Sequence, residues 1–279
     1  MIYILLPVHN RREITRYFID CLTKQTYTNY HLVLIDDGST DGTAEMVKHY
    51  VHELTIIRGN GNWWWGGSLQ QGYKWLKLQK LNNDDIVLII NDDTTFKDDL
   101  LEIGQTILNQ HLHTLLLAQA YSMQDNRLID AGVHVDWKQL RFSQAKSTEE
   151  INCLSTRGLF IRAEDFLALG GFYSKMLPHY ASDYEFTIRA HHKGMRLLSV
   201  PSLQLWTNEK TTGQRQFNQK LLISHIREIF SKGSVRNPLY ITSFILLSCP
   251  WRWKAINIFK VWHGVIAGGV TRFLKHLRK

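Results

Sequence analysis

This chain of 279 residues is predicted to fold as an α/β domain around a mainly parallel central sheet flanked by helices, with a helical C-terminal extension. Three observations predict it. Short, continuous apolar runs alternate with amphipathic segments, the rhythm of parallel strands buried under helices on both faces. Polar clusters follow four of those runs directly, and ligands in such sheets sit outside the carboxyl ends of the strands. From about Asn237 onward the chain changes character, mixing aromatic and basic residues with no Asp or Glu.

Taken in order, "IYILLP" reads as a buried strand, "REITRYFIDCLTKQ" as an amphipathic helix and "HLVLID" as a second strand. "DGTAEMVKHYV" follows as a helix, "LTIIR" as a third strand and "GGSLQQGYKWLKLQ" as a helix. "DIVLII" is the fourth strand, "DDLLEIGQTILNQ" a helix and "TLLLAQAY" the fifth strand. The strand ends carry "PVHN", "DDGSTDGT", "GNGN" and "NDDTT", so four polar clusters meet on one edge.

Composition limits the partners. A net charge of +8 suits anionic lipid, nucleic acid or a phosphorylated substrate, and charge alone does not choose among them. Cys21, Cys153 and Cys249 are far apart and form no C-x-x-C pair, which fits a reducing cytoplasm without structural zinc. The N-terminus enters a strand directly, without a charged leader or cleavage site. The turn after the first strand is "PVHNRREIT", not the G-x-G-x-x-G of a dinucleotide fold.

Two acidic clusters then need an explanation. In "DDGSTDGT", Gly38 and Gly42 permit a tight turn, Asp41 can cap the next helix, and Asp36 and Asp37 are left facing the edge. In "NDDTT", Asp92 and Asp93 end a greasy strand, where paired carboxylates repel and are costly to bury. One reading is capping of a helix beginning near Phe96. The other is a shared cation or polar ligand.

The run "LLPVHNRREITRYFIDCLTKQTYTNYHLVLIDDGSTDGT" resembles the opening of the family 2 glycosyltransferases, inverting enzymes of the GT-A fold. "LIINDDTTF" resembles their Asp-x-Asp-type motif, and "STRGLFIRAEDFLALGGFYSKMLPHYASDYEFTIRAHHKGMRLLSVP" their acceptor-side segment. The resemblance spans about the first 205 residues and is nearest in tone to bacterial surface-polysaccharide, rhamnosyl- or galactosyl-type transferases. It implies a GT-A domain over residues 1–215, a basic, aromatic helical extension over 216–279, and a nucleoside-diphosphate sugar donor of UDP or dTDP type. Asp93 would hold Mg²⁺ or Mn²⁺, and Asp92 would face the ribose or assist the metal. Pro7 and Asp37 would line the nucleoside pocket, with Asn10 and Arg11 close by. Many relatives place a metal-binding His after the strand near Pro201, where this chain has Trp206, Thr207 and Asn208.

An inverting transfer needs a base for the acceptor hydroxyl. In "YASDYEFTIRAHHKG" the resemblance assigns that role to Asp183, with Glu185 supporting the helix start. Ser182 departs from the family's usual first acid, and Arg189 is expected to pair internally. His191 and His192 should end the helix at Gly194.

In "NGNWWWGGSLQQG" three consecutive tryptophans cannot all enter one core, so at least one should line a pocket. Trp65 is the candidate wall for sugar or base, and Gly67, with Gly66, would let backbone N–H groups approach phosphate. In the extension, Leu239 to Cys249 is an apolar run of eleven residues stopped by Pro250, against the roughly 20 a spanning helix needs. Three roles stay open for it: lying on an anionic membrane, packing on the catalytic domain, or forming a homodimer.

The expected protein is a metal-dependent inverting transferase at the inner face of the plasma membrane, acting on a glycan or lipid-linked glycan in surface-polysaccharide synthesis. No nucleic-acid partner is expected. A binding-only protein of the same fold and a sugar nucleotidyltransferase are the alternatives; Asp93 and Asp183 together disfavour the first, and "PVHNRRE" lacks the Gly-rich basic loop of the second.

Overall fold

A computed structural model describes residues 1–210 and 227–277. The expected domain boundary at residues 215 and 216 lies outside the described residues. β1 (Ile2–Val8), β2 (Tyr30–Asp36), β3 (Leu54–Arg58) and β4 (Ile86–Ile89) pair in the order β3-β2-β1-β4, all parallel. Between them run α1 (Arg12–Leu22), α2 (Thr43–Tyr50) and α3 (Trp64–Leu76).

Side chains alternate across the pleat. Ile2, Ile4, Leu6 and Val8 of β1 enter one core cluster, while Leu5 enters another on the opposite face. Helix α1 buries Thr15, Phe18, Ile19 and Leu22, spaced as one face of a 3.6-residue period, and the last three fill the first cluster. Phe18 is fully buried edge-on against Phe96, a contact whose removal by truncation to Ala costs about 3–5 kcal/mol.

Beyond β4 the sheet departs from the expected parallel array. β5 (Thr94–Phe96) and α4 (Leu100–Gln110) precede β6 (Thr114–Ser122), the expected fifth strand. β6 does not join β4: the short β10 (Leu159–Arg162) lies between them, antiparallel to both. β11 (Arg196–Thr207) then pairs parallel with β6 and antiparallel with β5, and β7 (Leu128–Asp130) adds to β6. The second half of the sheet is therefore mixed. β11 also runs six residues past Pro201, because its register shifts between Val200 and Gln204 and the proline sits where no ladder N–H is needed.

α5 (Ala163–Leu169) and α6 (Ser182–His192) cover the second face. Gly104 of α4 lets that helix settle on the sheet, since a Cβ there would stand 2.5 Å from the Phe160 ring. A two-stranded ribbon, β8 (Val133–Asp136) and β9 (Arg141–Gln144), projects beside α6.

The extension forms α7 (Pro238–Ser248) and α8 (Trp251–Leu277), broken at Cys249 and Pro250. Asn237 caps α7 by accepting from the Leu239 N–H at 3.0 Å, with Pro238 at the first turn where it displaces no hydrogen bond. Phe244 of α7 packs against Trp137 and Phe142 at the ribbon, with ring centroids 5.7 and 5.9 Å away. Asn257 of α8 is fully buried and donates to the Trp137 carbonyl at 2.8 Å. The packing role is thus realised within the chain. Two of the extension's lysines hold it in place: Lys254 donates to the Leu246 carbonyl and Lys260 to that of Lys138. No helix among the described residues is long and apolar enough to cross a membrane.

Candidate active site

The acidic pair at the end of β4 does not cap a helix. Thr94 to Phe96 form β5, and α4 starts only at Leu100, behind Asp99. Both carboxylates are buried, each 5% exposed. Asp92 Oδ2 accepts from Arg11 Nε and from Thr15 Oγ1, each at 3.0 Å, and Arg11 also lies 3.3 Å from Asp93 Oδ2. Burial pushes the Asp92 carboxyl up to about 6; Arg11 pulls the other way and the neighbouring Asp93 charge adds to the rise. Asp93 Oδ1 is buried with no hydrogen-bond partner. An unpaired carboxylate oxygen in that position fits a hard divalent cation, which would take its remaining ligands from substrate and water. No group of three or more His, Cys, Asp or Glu converges into a cage among the described residues. The Asn208 N–H donates to the Asp93 carbonyl at 3.1 Å, so the end of β11 lies beside this pair.

At the end of β2 the carboxylates are not left open to the edge. Asp36 Oδ1 accepts from the Ser39 N–H at 2.8 Å. Asp37 Oδ1 accepts from the Gly61 N–H, and Oδ2 from those of Trp63 and Trp64, at 2.8 to 3.0 Å. Asp37 thereby pulls the loop after β3 against the loop after β2. Asp41 ties two helix starts together, accepting from the N–H groups of Arg12 and Thr43. Asn10, at φ 50, accepts from the Thr40 N–H at 2.8 Å, and Pro7 is buried in β1 beside Ile35.

The three tryptophans point in three directions, as consecutive residues must. α3 begins at Trp64, two residues earlier than Gly66. Trp63 packs against the second core cluster, and a Cβ on Gly67 would stand 3.1 Å from it. Trp64, at φ 58, lies with its ring 5.2 Å from that of His179. Trp65 enters a cavity, its Nε1 donating to Thr156 Oγ1 at 3.2 Å. The glycines approach protein, not an open phosphate site. Gly66 donates its N–H to the Pro178 carbonyl, and a Cβ on it would stand 2.5 Å from the Leu177 carbonyl oxygen. The start of α3 is thus pressed against the segment that leads into α6.

That segment carries Asp183, in the first turn of α6. Burial pushes its carboxyl up to about 6, against backbone hydrogen bonds and the more distant Arg157 that favour the charged form. Asp183, Asn91 and Trp65 line one cavity of about 610 Å³. Glu185 and Arg189 brace the helix as expected, pairing at 2.8 Å while Arg189 donates to the carbonyls of Leu169 and Gly171. His192 ends α6 and Gly194 follows at φ 86, as the sequence predicts.

Several residues escaped sequence reasoning. Arg157 and His179 line the same cavity. Tyr240, Ile241 and Phe244 of α7 and Val261 of α8 add to its apolar wall, so the extension helps to line the cavity. Burial pushes His179 down to about 4, and its Nδ1 is buried without a partner. Of the expected residues, Asp183 and Trp65 share the cavity, and Asp92 and Asp93 follow Asn91 in the chain. Pro7, Asn10, Asp37 and Gly67 do not line it.

Comparison with known proteins gives this geometry a family. The model described as "Glycosyl transferase family 2" matches residues 3–166. An uncharacterized glycosyltransferase of Haemophilus influenzae is 23% identical over 248 residues, 83% of this chain and 78% of that protein. The putative glycosyltransferase EpsE of Bacillus subtilis is 24% identical over 69% of this chain and 67% of its own length. The match to glycosyltransferase GlyG of Streptococcus pneumoniae, at 26% identity, spans only 37% of this chain and 33% of that protein. Among solved structures, S. aureus TarS 1-349 in complex with UDP-GlcNAc aligns with a TM-score of 0.61 at 16% identity, over 96% of this chain and 92% of that one. The mannosyltransferase PcManGT from Pyrobaculum calidifontis, in complex with GDP-Man and Mn²⁺, aligns with a TM-score of 0.59 at 14% identity, over 94% and 69%. At such identities the structures speak for the fold, which is that of the GT-A transferases, while the family model covers more than half of the chain. The chain is a glycosyltransferase and belongs to glycosyl transferase family 2.

Proposed function

We propose that this glycosyltransferase moves a sugar, with inversion at the anomeric carbon, from a nucleoside-diphosphate sugar to a hydroxyl of a glycan acceptor. The observation that carries the reading is Asp183, a carboxylate pushed up to about 6, facing a cavity that Asn91, the residue before the acidic pair, also lines. A base near that value is largely ionised at neutral pH yet takes a proton more readily than an ordinary carboxylate. The acceptor oxygen attacks the anomeric carbon, Asp183 takes its proton, and the bond from that carbon to the diphosphate breaks. Trp65, anchored on Thr156, supplies a flat wall for a sugar face. The Asp37 clamp sets the loop that borders the nucleoside, with Pro7 and Asn10 on the same edge.

Asp93 Oδ1 would hold Mg²⁺ or Mn²⁺, with Asp92 fixed beside it by Arg11 and Thr15. Such a cation neutralises charge on the departing diphosphate. The structural neighbours crystallised with GDP-Man and Mn²⁺ and with UDP-GlcNAc support this donor class.

The outer face of α8 supports a membrane-surface position on an acceptor route to surface polysaccharide. Trp251, Ile256, Phe259 and Ile266 are exposed, at 86, 47, 68 and 64%, beside Arg252 and on a segment without acidic residues. An anionic bilayer complements both its apolar and its basic character.

The test is release of nucleoside diphosphate from a panel of donor sugars, with and without Mn²⁺, by the full-length chain and by Asp183→Asn. Metal-stimulated release that vanishes in the variant supports the reading. Equal release by both proteins rejects Asp183 as the base.

A further inference from the structure

The cavity that holds Asp183 is mostly apolar and aromatic, yet Arg157 also lines it. Arg157 is half-buried, its Nε is buried without a hydrogen-bond partner, and it forms no ion pair among the described residues. Two arginines with little exposed side chain are engaged: Arg162 lies 3.3 Å from Asp84, and Arg189 lies 2.8 Å from Glu185. A guanidinium with no direct ion pair in a partly dry, apolar cleft is costly, so a fold that keeps one there gains from an anion that arrives with a ligand.

Its position is also built, not incidental. Arg157 sits between Thr156, which is buried and takes the Trp65 Nε1 hydrogen bond, and Gly158 at φ 84. Gly158 donates its N–H to the Ile89 carbonyl and accepts from the Ala118 N–H, each at 3.0 Å. A Cβ there would stand 2.5 Å from Leu205, so no side chain replaces that glycine without displacing the turn. The backbone that carries Arg157 is therefore held by β4, β6 and β11 together, and the side chain lines the cavity wall.

From this placement we infer that Arg157 is the anion-binding residue of the cavity, taking a phosphate oxygen carried in by a substrate. Guanidinium meets phosphate through two parallel N–H donors, which a lysine does not reproduce. Two substrates bring that chemistry, resting on the transferase reading above. One is the donor, whose diphosphate would reach the cavity past Asn91. The other is an acceptor with a phosphate next to an apolar chain, which the wall of Tyr240, Ile241, Phe244 and Val261 would accommodate.

Calorimetry on the full-length chain separates the two. One arm titrates UDP, dTDP and GDP with Mn²⁺; the other titrates farnesyl phosphate, with farnesol as the uncharged control. Arg157→Gln should weaken binding in one arm by about ten- to a hundredfold, and Arg157→Lys should restore part of it. Loss in the nucleotide arm assigns the contact to the donor. Loss with farnesyl phosphate, but not farnesol, assigns it to the acceptor. Unchanged affinity in both arms, with a wild-type thermal melt, overturns the inference. If wild type binds no nucleoside diphosphate, the transferase reading fails while the farnesyl phosphate arm still decides on Arg157; binding of neither probe overturns both.

Discussion

Arg11 Nε donates to Asp92 Oδ2 at 3.0 Å, across 81 residues of sequence, and so ties the start of α1 to the end of β4. With Thr15 on the same oxygen, it lets one acid of the pair stay fixed while Asp93 keeps a free oxygen. Arg11→Ala should destabilise the fold by about 1–3 kcal/mol, measured by urea unfolding, because it leaves two buried carboxylates facing each other. Arg11→Lys keeps the charge but not the fork and should fall between. Stability unchanged in Arg11→Ala would show that the pair needs no counter-charge.

Transfer should follow the ionisation of Asp183. With its carboxyl at about 6, kcat/KM for the best donor should rise from pH 5 to pH 7 and level off above. His179, pushed down to about 4, is neutral throughout that range and cannot produce this limb. His179→Asn should therefore leave the midpoint in place, and a shifted midpoint would give the limb to the imidazole.

Both raised carboxyls affect stability in the same direction. Asp92 and Asp183 bind protons more tightly folded than unfolded, so they favour the fold below the ordinary carboxylate range near 3.8. That contribution is lost as pH rises from about 4 through about 6. Asp183→Asn should thus raise Tm relative to wild type at pH 7.5 and have less effect at pH 4. A variant that melts lower than wild type at pH 7.5 would contradict this.

The exposed face of α8 should bind anionic vesicles. Truncation is a poor test, since removing α7 and α8 strips Tyr240, Phe244 and Val261 from the cavity. Trp251→Glu with Phe259→Glu changes only exposed positions and should abolish salt-sensitive sedimentation with phosphatidylglycerol vesicles while leaving the melt unchanged. Equal sedimentation of variant and wild type would reject membrane docking.

The first half of the fold was legible because its elements announce themselves: β1 and β4 are unbroken apolar runs, and α1 repeats its buried face at 15, 18, 19 and 22. β10 was not, because Leu159–Arg162 is a four-residue run flowing straight into α5, with no turn residue between them. The reach of β11 past Pro201 was not legible, since the bulge that excuses the proline shows only in the strand's pairing with β6. At the site, Asp183 and the acidic pair stand out by residue type and order. The loop-clamping use of Asp37 does not, as its partners are backbone amides with no side-chain signature. Arg157 was invisible for a related reason: Leu205, Ala118 and Ile89, which meet the turn beside it, are distant in sequence.

The late position of β11 dictates an order of assembly. β5, which follows the acidic pair directly, and the outer edge of β6 both wait for residues 196–207 as their partner. On a ribosome, everything the family model matches, residues 3–166, can emerge while those two edges remain bare. A fragment ending there would present two unpaired strand edges and should aggregate, however well its parallel half has formed. The acid pair would thus be completed among the last parts of the sheet, so a stalled or clipped chain would be sticky before it could become a transferase.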